Sequence, residues 1–414
     1  MKIAIIGSGI SGMLTAYLLC EEHEVTVFEA NDYIGGHTNT IEARIDGQHH
    51  ALDTGFIVFN QDTYPNFIKL LHRLQIAYQP SEMSFSVSCV ETGLEYRASS
   101  LDSFFAQRRN LFNGRFLRMI LEIFRFKRES GRLLDGGDPE LTLGEYLRQQ
   151  GYSSYFIEKF IIPMGAAVWS AVPDRFQEFP AAAFVRFFTN HGMLKIRNQP
   201  QWYVIRGGSQ RYVEALTRPF RDRIRLRTPV VSVCRHPDRV SVTTREGSAE
   251  SFDQVVIAAH SDQALRMLAD PSAAERETLG AIPYQENRTV LHSDDSQLPK
   301  ILKARASWNY RVLAGERQPA VVTYSLNRLQ GIDARRELCV TLNSPDTMAA
   351  DTLIYETVYH HPVYDRGAFA AQQRWTELNG VNRTWFCGAY WGYGFHEDGV
   401  KSALAVCGTF GKTL

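Results

Sequence analysis

At 414 residues, 44% of them hydrophobic, the chain carries enough apolar material for two cores, so two domains are expected. Its 45 basic residues balance 45 acidic ones, which excludes an overall field that would gather nucleic acid. The six cysteines form no CxxC, and no run approaches the roughly 18 apolar residues of a membrane span, so zinc frameworks, disulfide scaffolds and integral membrane proteins are set aside.

Lys2–Ile6 reads as a buried parallel strand that meets glycine at Gly7, a pattern unlike an export signal, and a cytoplasmic location is expected. Ser11–Glu21 reads as a helix packed on it and Glu24–Glu29 as the next strand, the start of a doubly wound sheet. Residues 81–198 are richer in helical patterning and aromatics. Within them, Arg108–Leu134 has eight Lys or Arg against two Glu, with Leu111, Phe112, Phe116, Leu117, Ile120, Ile123, Phe124 and Phe126 interleaved. A strand-rich zone follows at 224–259, and its run Val255–Ala259 suits another strand of the first sheet. Residues 285–364 alternate further strand-like segments. Thr384–Cys387 is read as a last strand, followed by a glycine- and aromatic-rich loop and a closing helix from about Gly399.

Gly7-Ser8-Gly9-Ile10-Ser11-Gly12 is a GxGxxG between a strand and a helix. Gly7 permits the tight turn, Gly9 lets backbone approach a pyrophosphate, and Gly12 allows close helix–strand packing. The helix start, including Ser8 and Ser11, offers unpaired N–H groups and a partial positive charge to phosphates. Glu29, at the end of the second strand and followed by Ala30, can bind both hydroxyls of an adenosine ribose and would repel a 2′-phosphate. Dinucleotide binding is therefore expected.

Two further stretches point to FAD rather than NAD. One runs through Gly35-Gly36-His37-Thr38 to Asp53-Thr54-Gly55-Phe56; the other runs from Phe386 through Gly388, Tyr390, Trp391 and His396 to Gly399-Val400. These resemble the FAD proteins of the amine oxidase, phytoene desaturase and protoporphyrinogen oxidase superfamily. They are most similar to the bacterial oxidoreductases associated with cyclopropane-fatty-acid-synthase-type methyltransferases. The resemblance implies an α/β fold with a glutathione-reductase-like, Rossmann-type FAD domain built from discontinuous segments (1–80, 206–265 and 376–414). An α+β substrate domain would comprise 81–205 and 266–375. It also implies that Gly35, Gly36, Thr38, Thr54, Gly55, Phe56 and Gly388 lie along FAD, and that Val231 meets adenine through its backbone. Gly399 and Val400 would aim helix N–H groups at the flavin N1–C2=O edge. Trp169-Ser170 and Gly207-Gly208-Ser209 recur in the related family and suggest cavity lining and cofactor approach.

Two departures stand out: His37 occupies a position usually held by Arg, and Ala389 follows Gly388 where an acid is common. The strand Asn287–His292 lacks the lysine that amine oxidases of the superfamily place near flavin N5, which argues against amine oxidation. Candidates for the catalytic face are His396, Tyr390, Trp391 and His37. No metal is expected, because His360 and His361 are adjacent on a strand and should point to opposite faces.

The expected reaction is hydride transfer between flavin N5 and a hydrophobic, fatty-acyl or lipid-like substrate, as desaturation or saturation. A flavin amine oxidase and a non-catalytic FAD-binding accessory of a lipid methyltransferase are the alternatives. The basic, phenylalanine-rich stretch 108–134 suggests peripheral contact with the inner face of a membrane.

Overall fold

The computed structural model describes all residues except 137, 139, 196–197, 314–319 and 347. Its first layer is a five-stranded parallel sheet in the order Ile224–Arg225, Glu24–Phe28, Lys2–Ile6, Gln254–Ile257, Thr384–Phe386. The central strand is apolar on both faces, as a parallel strand covered on both sides must be. Ile3 and Ile5 pack against the helix Ile10–Leu19, which itself lies against the closing helix His396–Thr409. Ala4 and Ile6 point the other way, into a cluster with Val233, Val240 and Phe252 of a three-stranded antiparallel sheet, residues 230–252. The helix Ile10–Leu19 has no polar face because it is enclosed between sheet and helix.

The second layer is a seven-stranded sheet. Its order is Leu353–Pro362, Tyr284–His292, Cys339–Leu342, Val321–Ser325, Trp308–Val312, Phe85–Cys89, Leu94–Arg97. All neighbours are antiparallel except Trp308–Val312 with Phe85–Cys89. Helices including Gly114–Glu129, Ile162–Trp169 and Ala181–Asn190 enclose an aromatic core of Phe116, Phe126, Phe156, Phe184 and Phe188.

Two differences from the sequence reading matter for the site. The strand Trp202–Ile205, placed by sequence in the substrate segment, pairs on both sides with strands from the start of the chain, Val58–Asn60 and Tyr78–Ser81. The closing helix begins at His396 rather than near Gly399. The Asp398 carboxylate accepts the backbone N–H groups of both Phe395 and Tyr393 at 3.0 Å, which fixes the helix start ahead of the glycine.

Candidate active site

A cavity of about 1140 Å³ opens where the carboxyl ends of the parallel strands face the seven-stranded sheet. That is where open α/β sheets place their ligands. At one end the glycine loop forms its wall. Gly7 has φ +103°, and a Cβ there would sit 2.7 Å from the Ala258 carbonyl oxygen. A Cβ on Gly12 would meet the Gly7 carbonyl oxygen at 2.0 Å, so only glycine lets the helix abut the turn. Gly9 differs: a Cβ there would find nothing within 4 Å, although the residue lines the cavity. Its bare side is the cradle in which a pyrophosphate can lie against backbone.

Glu29 is 5% exposed and binds the loop directly. Its Oε2 accepts the Ser8 N–H (2.8 Å) and hydroxyl (2.6 Å), and its Oε1 accepts the Asn31 N–H (2.8 Å). Gly36, at φ +60°, backs onto the Gly9 Cα, so the two glycine turns form one surface. Gly35 donates its N–H to the Ser8 hydroxyl at 3.3 Å. From the far end of the chain, Gly399 abuts Ile10, and its carbonyl accepts the Ser11 hydroxyl at 2.9 Å. The glycine pattern, open at Gly9 and closed elsewhere, fits FAD.

Most of the residues singled out from sequence line this cavity. Gly7, Ser8, Gly9 and Ser11 do so from the first loop, Glu29 and Ala30 from the second strand, and Gly35, Gly36 and His37 from the paired-glycine turn. Thr54, Gly55, Phe56, Val231, Gly388, Tyr390 and His396 complete the set, and Trp169 and Ser170 are there too. Gly12, Thr38, Trp391, Gly399 and Val400 do not line it, and each has a local reason. Gly12 faces the Gly7 carbonyl. Thr38 is fully buried and bonds the Tyr212 hydroxyl at 2.6 Å. Trp391 turns between the two cores beside Tyr390. Gly399 N–H is already bonded to Phe395 O, and Val400 lies a turn into the helix and is fully buried. The cavity therefore meets the closing helix at Tyr393–His396, not at Gly399–Val400. Gly207-Gly208-Ser209 is likewise outside the lining; Ser209 N–H and hydroxyl hold the buried Asp53 carboxylate. Burial of Asp53 raises its pKa to about 6.

His396 and His37 have different surroundings. The His396 ring stacks on Phe56 at 3.7 Å between centroids, meets Phe67 edge-on, and shares a 2.8 Å hydrogen bond with the Tyr212 hydroxyl. Burial, then the charge of His37, lowers its pKa to about 3, so the ring is a neutral part of the packing. His37 stacks on Tyr359 (4.9 Å) beside His361 (5.4 Å), and its Nε2 is buried with no partner among the described residues. Its pKa is also lowered to about 3, first by burial and then by His260 and His360.

His360 and His361 both line the cavity rather than opposite faces, because the end of the long strand Leu353–Pro362 runs along it. His260, which stacks on Tyr284 at 4.5 Å, joins them; only its place at the carboxyl end of a buried strand could have flagged it. Among the described residues no three His, Cys, Asp or Glu side chains group to hold a metal. Tyr364 Oη, Tyr390 Oη and Trp308 Nε1 are likewise buried without protein partners at the cavity wall. Buried unpaired polar atoms cost about 1–3 kcal/mol each, and a bound ligand would relieve them.

The wall contributed by the second layer is aromatic, with Phe187 packed on both Trp169 and Phe395 and Trp169 Nε1 donating to Tyr393 O at 3.2 Å. Among the described lining residues there is no lysine, and the carboxylates are Glu29 and Asp32, beside the glycine loop.

Residues 10–300 match the family model of flavin-containing amine oxidoreductases. AofH of Mycobacterium tuberculosis, whose name assigns it provisionally to the flavin-containing monoamine oxidases, is 25% identical over 266 residues, covering 61% of this chain and 55% of that protein. The chain thus spans little more than half the length of that relative. Zeta-carotene desaturase of Zea mays is 36% identical over 75 residues, 18% of this chain and 12% of that one. In fold the chain is similar to putrescine oxidase bound to putrescine (TM-score 0.70, 15% identity, 99% of both chains). It is also similar to a fatty acid isomerase from P. acnes that produces CLA (TM-score 0.69, 17% identity, 99% of this chain and 98% of that one). With the family model matched over well more than half its length, the chain belongs to the flavin-containing amine oxidoreductases, a family of FAD-dependent oxidoreductases.

Proposed function

We propose that the protein is an FAD-dependent oxidoreductase acting on a hydrophobic, lipid-like substrate such as a fatty-acyl chain, by desaturation or saturation. In this reading residues 1–80, 206–265 and 376–414, with the strand Trp202–Ile205 that pairs with the first of these segments, hold FAD, and the rest of 81–205 with 266–375 shapes the substrate space. The observation that carries it is the chemistry of the cavity wall away from the glycine loop. That wall is aromatic, burial holds its His37, His260 and His361 neutral, and its described residues include neither a lysine nor a carboxylate. An ammonium group brought there would lose its hydration without an opposite charge, whereas an apolar chain gains by burial.

When bound, FAD supplies the capacity to accept or give a hydride equivalent. The chain's own residues do the rest. Gly9 and the start of the helix Ile10–Leu19 would seat the pyrophosphate, and Glu29 would take the ribose hydroxyls. Trp169, Phe187, Phe395 and Tyr390 would exclude water and grip an apolar chain. His37 Nε2 is the unpaired nitrogen at the wall that could hold or move a proton.

The test is anaerobic mixing of the FAD-loaded protein with acyl lipids, and separately with polyamines and aromatic amines, while the flavin absorption is followed. Bleaching of the oxidised enzyme by an acyl lipid, or reoxidation of the reduced enzyme by an unsaturated one, is expected. Fast bleaching by amines with peroxide release in air would replace this reading with amine oxidation. Response to an acyl lipid only when a lipid methyltransferase is added would make the protein an accessory of that partner.

A further inference from the structure

The helix Gly114–Glu129 carries two apolar stripes, and only one faces the core. Phe116, Met119, Ile123 and Phe126 are buried against the aromatic core. Leu117, Leu121 and Phe124, spaced i, i+4, i+7, form the opposite stripe and are exposed, Leu121 by 69%. The preceding turn Arg108–Phe112 adds Leu111 and Phe112, the latter 92% exposed. Among the described residues nothing covers this face, and single exposed apolar residues would need no explanation, but a row of them does.

The charge around the row selects what would cover it. Of the eight basic and two acidic residues between Arg108 and Leu134, both acids are already taken. Glu122 is buried, accepting the Ser153 N–H and the Arg118 guanidinium at 3.1 Å. Glu129 pairs with Arg128. Arg108 shares Asp102 with Lys303, while Arg115 and Arg132 have no acidic partner among the described residues. An apolar ridge inside a cationic rim is complementary to an anionic bilayer surface: the ridge enters the acyl boundary and the rim stays at the headgroups. No helix among the described residues is long and apolar enough to span a membrane, so the contact would be superficial.

We propose that the face formed by Phe112, Leu117, Leu121 and Phe124 docks on an anionic lipid surface. The position is useful. Lys127, on the same helix, places its Nζ 3.5 Å from the Lys195 carbonyl oxygen, in the segment whose His191 and Met193 line the cavity. A docked protein would carry that cavity segment directly behind the helix that meets the bilayer. Docking on lipid does not depend on the identity of the substrate, and vesicle binding is measured without turnover, so docking and the proposed reaction fail separately.

The experiment is flotation of the full-length, FAD-loaded protein with vesicles of phosphatidylglycerol and phosphatidylcholine, and with phosphatidylcholine alone, at low and high salt. Binding to the anionic vesicles at low salt is expected, weakened by salt and by Arg115→Glu with Arg132→Glu. The exposed triple variant Phe112→Ser, Leu121→Ser, Phe124→Ser should retain its flavin spectrum and lose about tenfold or more in vesicle affinity. Failure to float with anionic vesicles, or a triple variant that floats like the parent, overturns the proposal. So does a shift from dimer to monomer in sedimentation with flotation unchanged, which would give the face to a second copy.

Discussion

The Glu29 carboxylate closes on Ser8, accepting its backbone N–H at 2.8 Å and its hydroxyl at 2.6 Å across 21 residues of sequence. One acid therefore shapes the loop and lines the cavity. Removing it should cost both functions together: Glu29→Ala should weaken FAD binding by about tenfold to a hundredfold, the scale of one or two charge-assisted hydrogen bonds. Titration by flavin fluorescence reads this directly. Binding within twofold of the parent would remove Glu29 from the cofactor site.

The glycines of the loop separate folding from binding. Gly9→Ala adds a methyl that meets no protein atom, at φ −66°, so stability should stay within about 0.5 kcal/mol of the parent while FAD affinity falls, because the methyl enters the pyrophosphate cradle. Gly12→Ala drives its methyl to 2.0 Å from the Gly7 carbonyl oxygen and should destabilise the apoprotein by several kcal/mol. Thermal unfolding without and with FAD distinguishes the two. Equal loss of apoprotein stability in both variants would refute the assignment.

What could be read in the sequence was local, and what could not was made by distant contacts. The strand, the GxGxxG and Glu29 lie within thirty residues, where spacing alone dictates geometry. The start of the closing helix was misplaced because Asp398 reaches back to Tyr393 and Phe395, so the visible glycine at 399 was not its cap. Asp53 and Glu397 passed without a role for the same reason. Asp53 is clamped by Ser209 and Gln330, and Glu397 caps the helix Pro65–Arg73 by accepting the Asn66 and Phe67 N–H groups. His260 meets His37 only once the two layers close. Alternation along a strand, a sound rule inside a sheet, misjudged His360 and His361 at the end of one.

The buried histidines set the acid limit of the fold. Burial lowers His37, His361 and His396 to about 3 and His191, His260 and His292 to about 4, from an unfolded value near 6.5. Each is neutral in the folded chain and charged in the unfolded chain below that value. Their stabilisation is therefore complete above pH 6.5 and is lost as pH falls toward 4 and 3. Asp53 and Asp398, raised by burial to about 6, act in the opposite sense, favouring the fold more as pH falls from 6 toward 3.8. Six histidines against three carboxylates, since burial raises Glu397 as well, leave a net uptake of roughly three to four protons on unfolding near pH 5, or roughly 4–5 kcal/mol lost per pH unit. The apoprotein's unfolding midpoint should drop steeply between pH 6 and 5; a flat profile there would contradict the buried, neutral state of these rings.

His396 and His37 should respond oppositely to replacement. His396 is wedged between Phe56 and Phe67 and bonded to Tyr212, so His396→Gln should cost about 1–3 kcal/mol of stability and leave the shape of the turnover pH profile unchanged. His37→Gln breaks no hydrogen bond at Nε2, so its stability cost should be smaller. His37 lines the cavity beside the paired glycines, so the same variant should shift the flavin's visible spectrum or move a limb of the pH profile. Tyr212→Phe removes the partner of His396, and with it the bond to Thr38, and should lower stability without moving the pH limb. If His396→Gln moves the pH limb and His37→Gln does not, the proton-handling role belongs to His396, and burial has not silenced that ring.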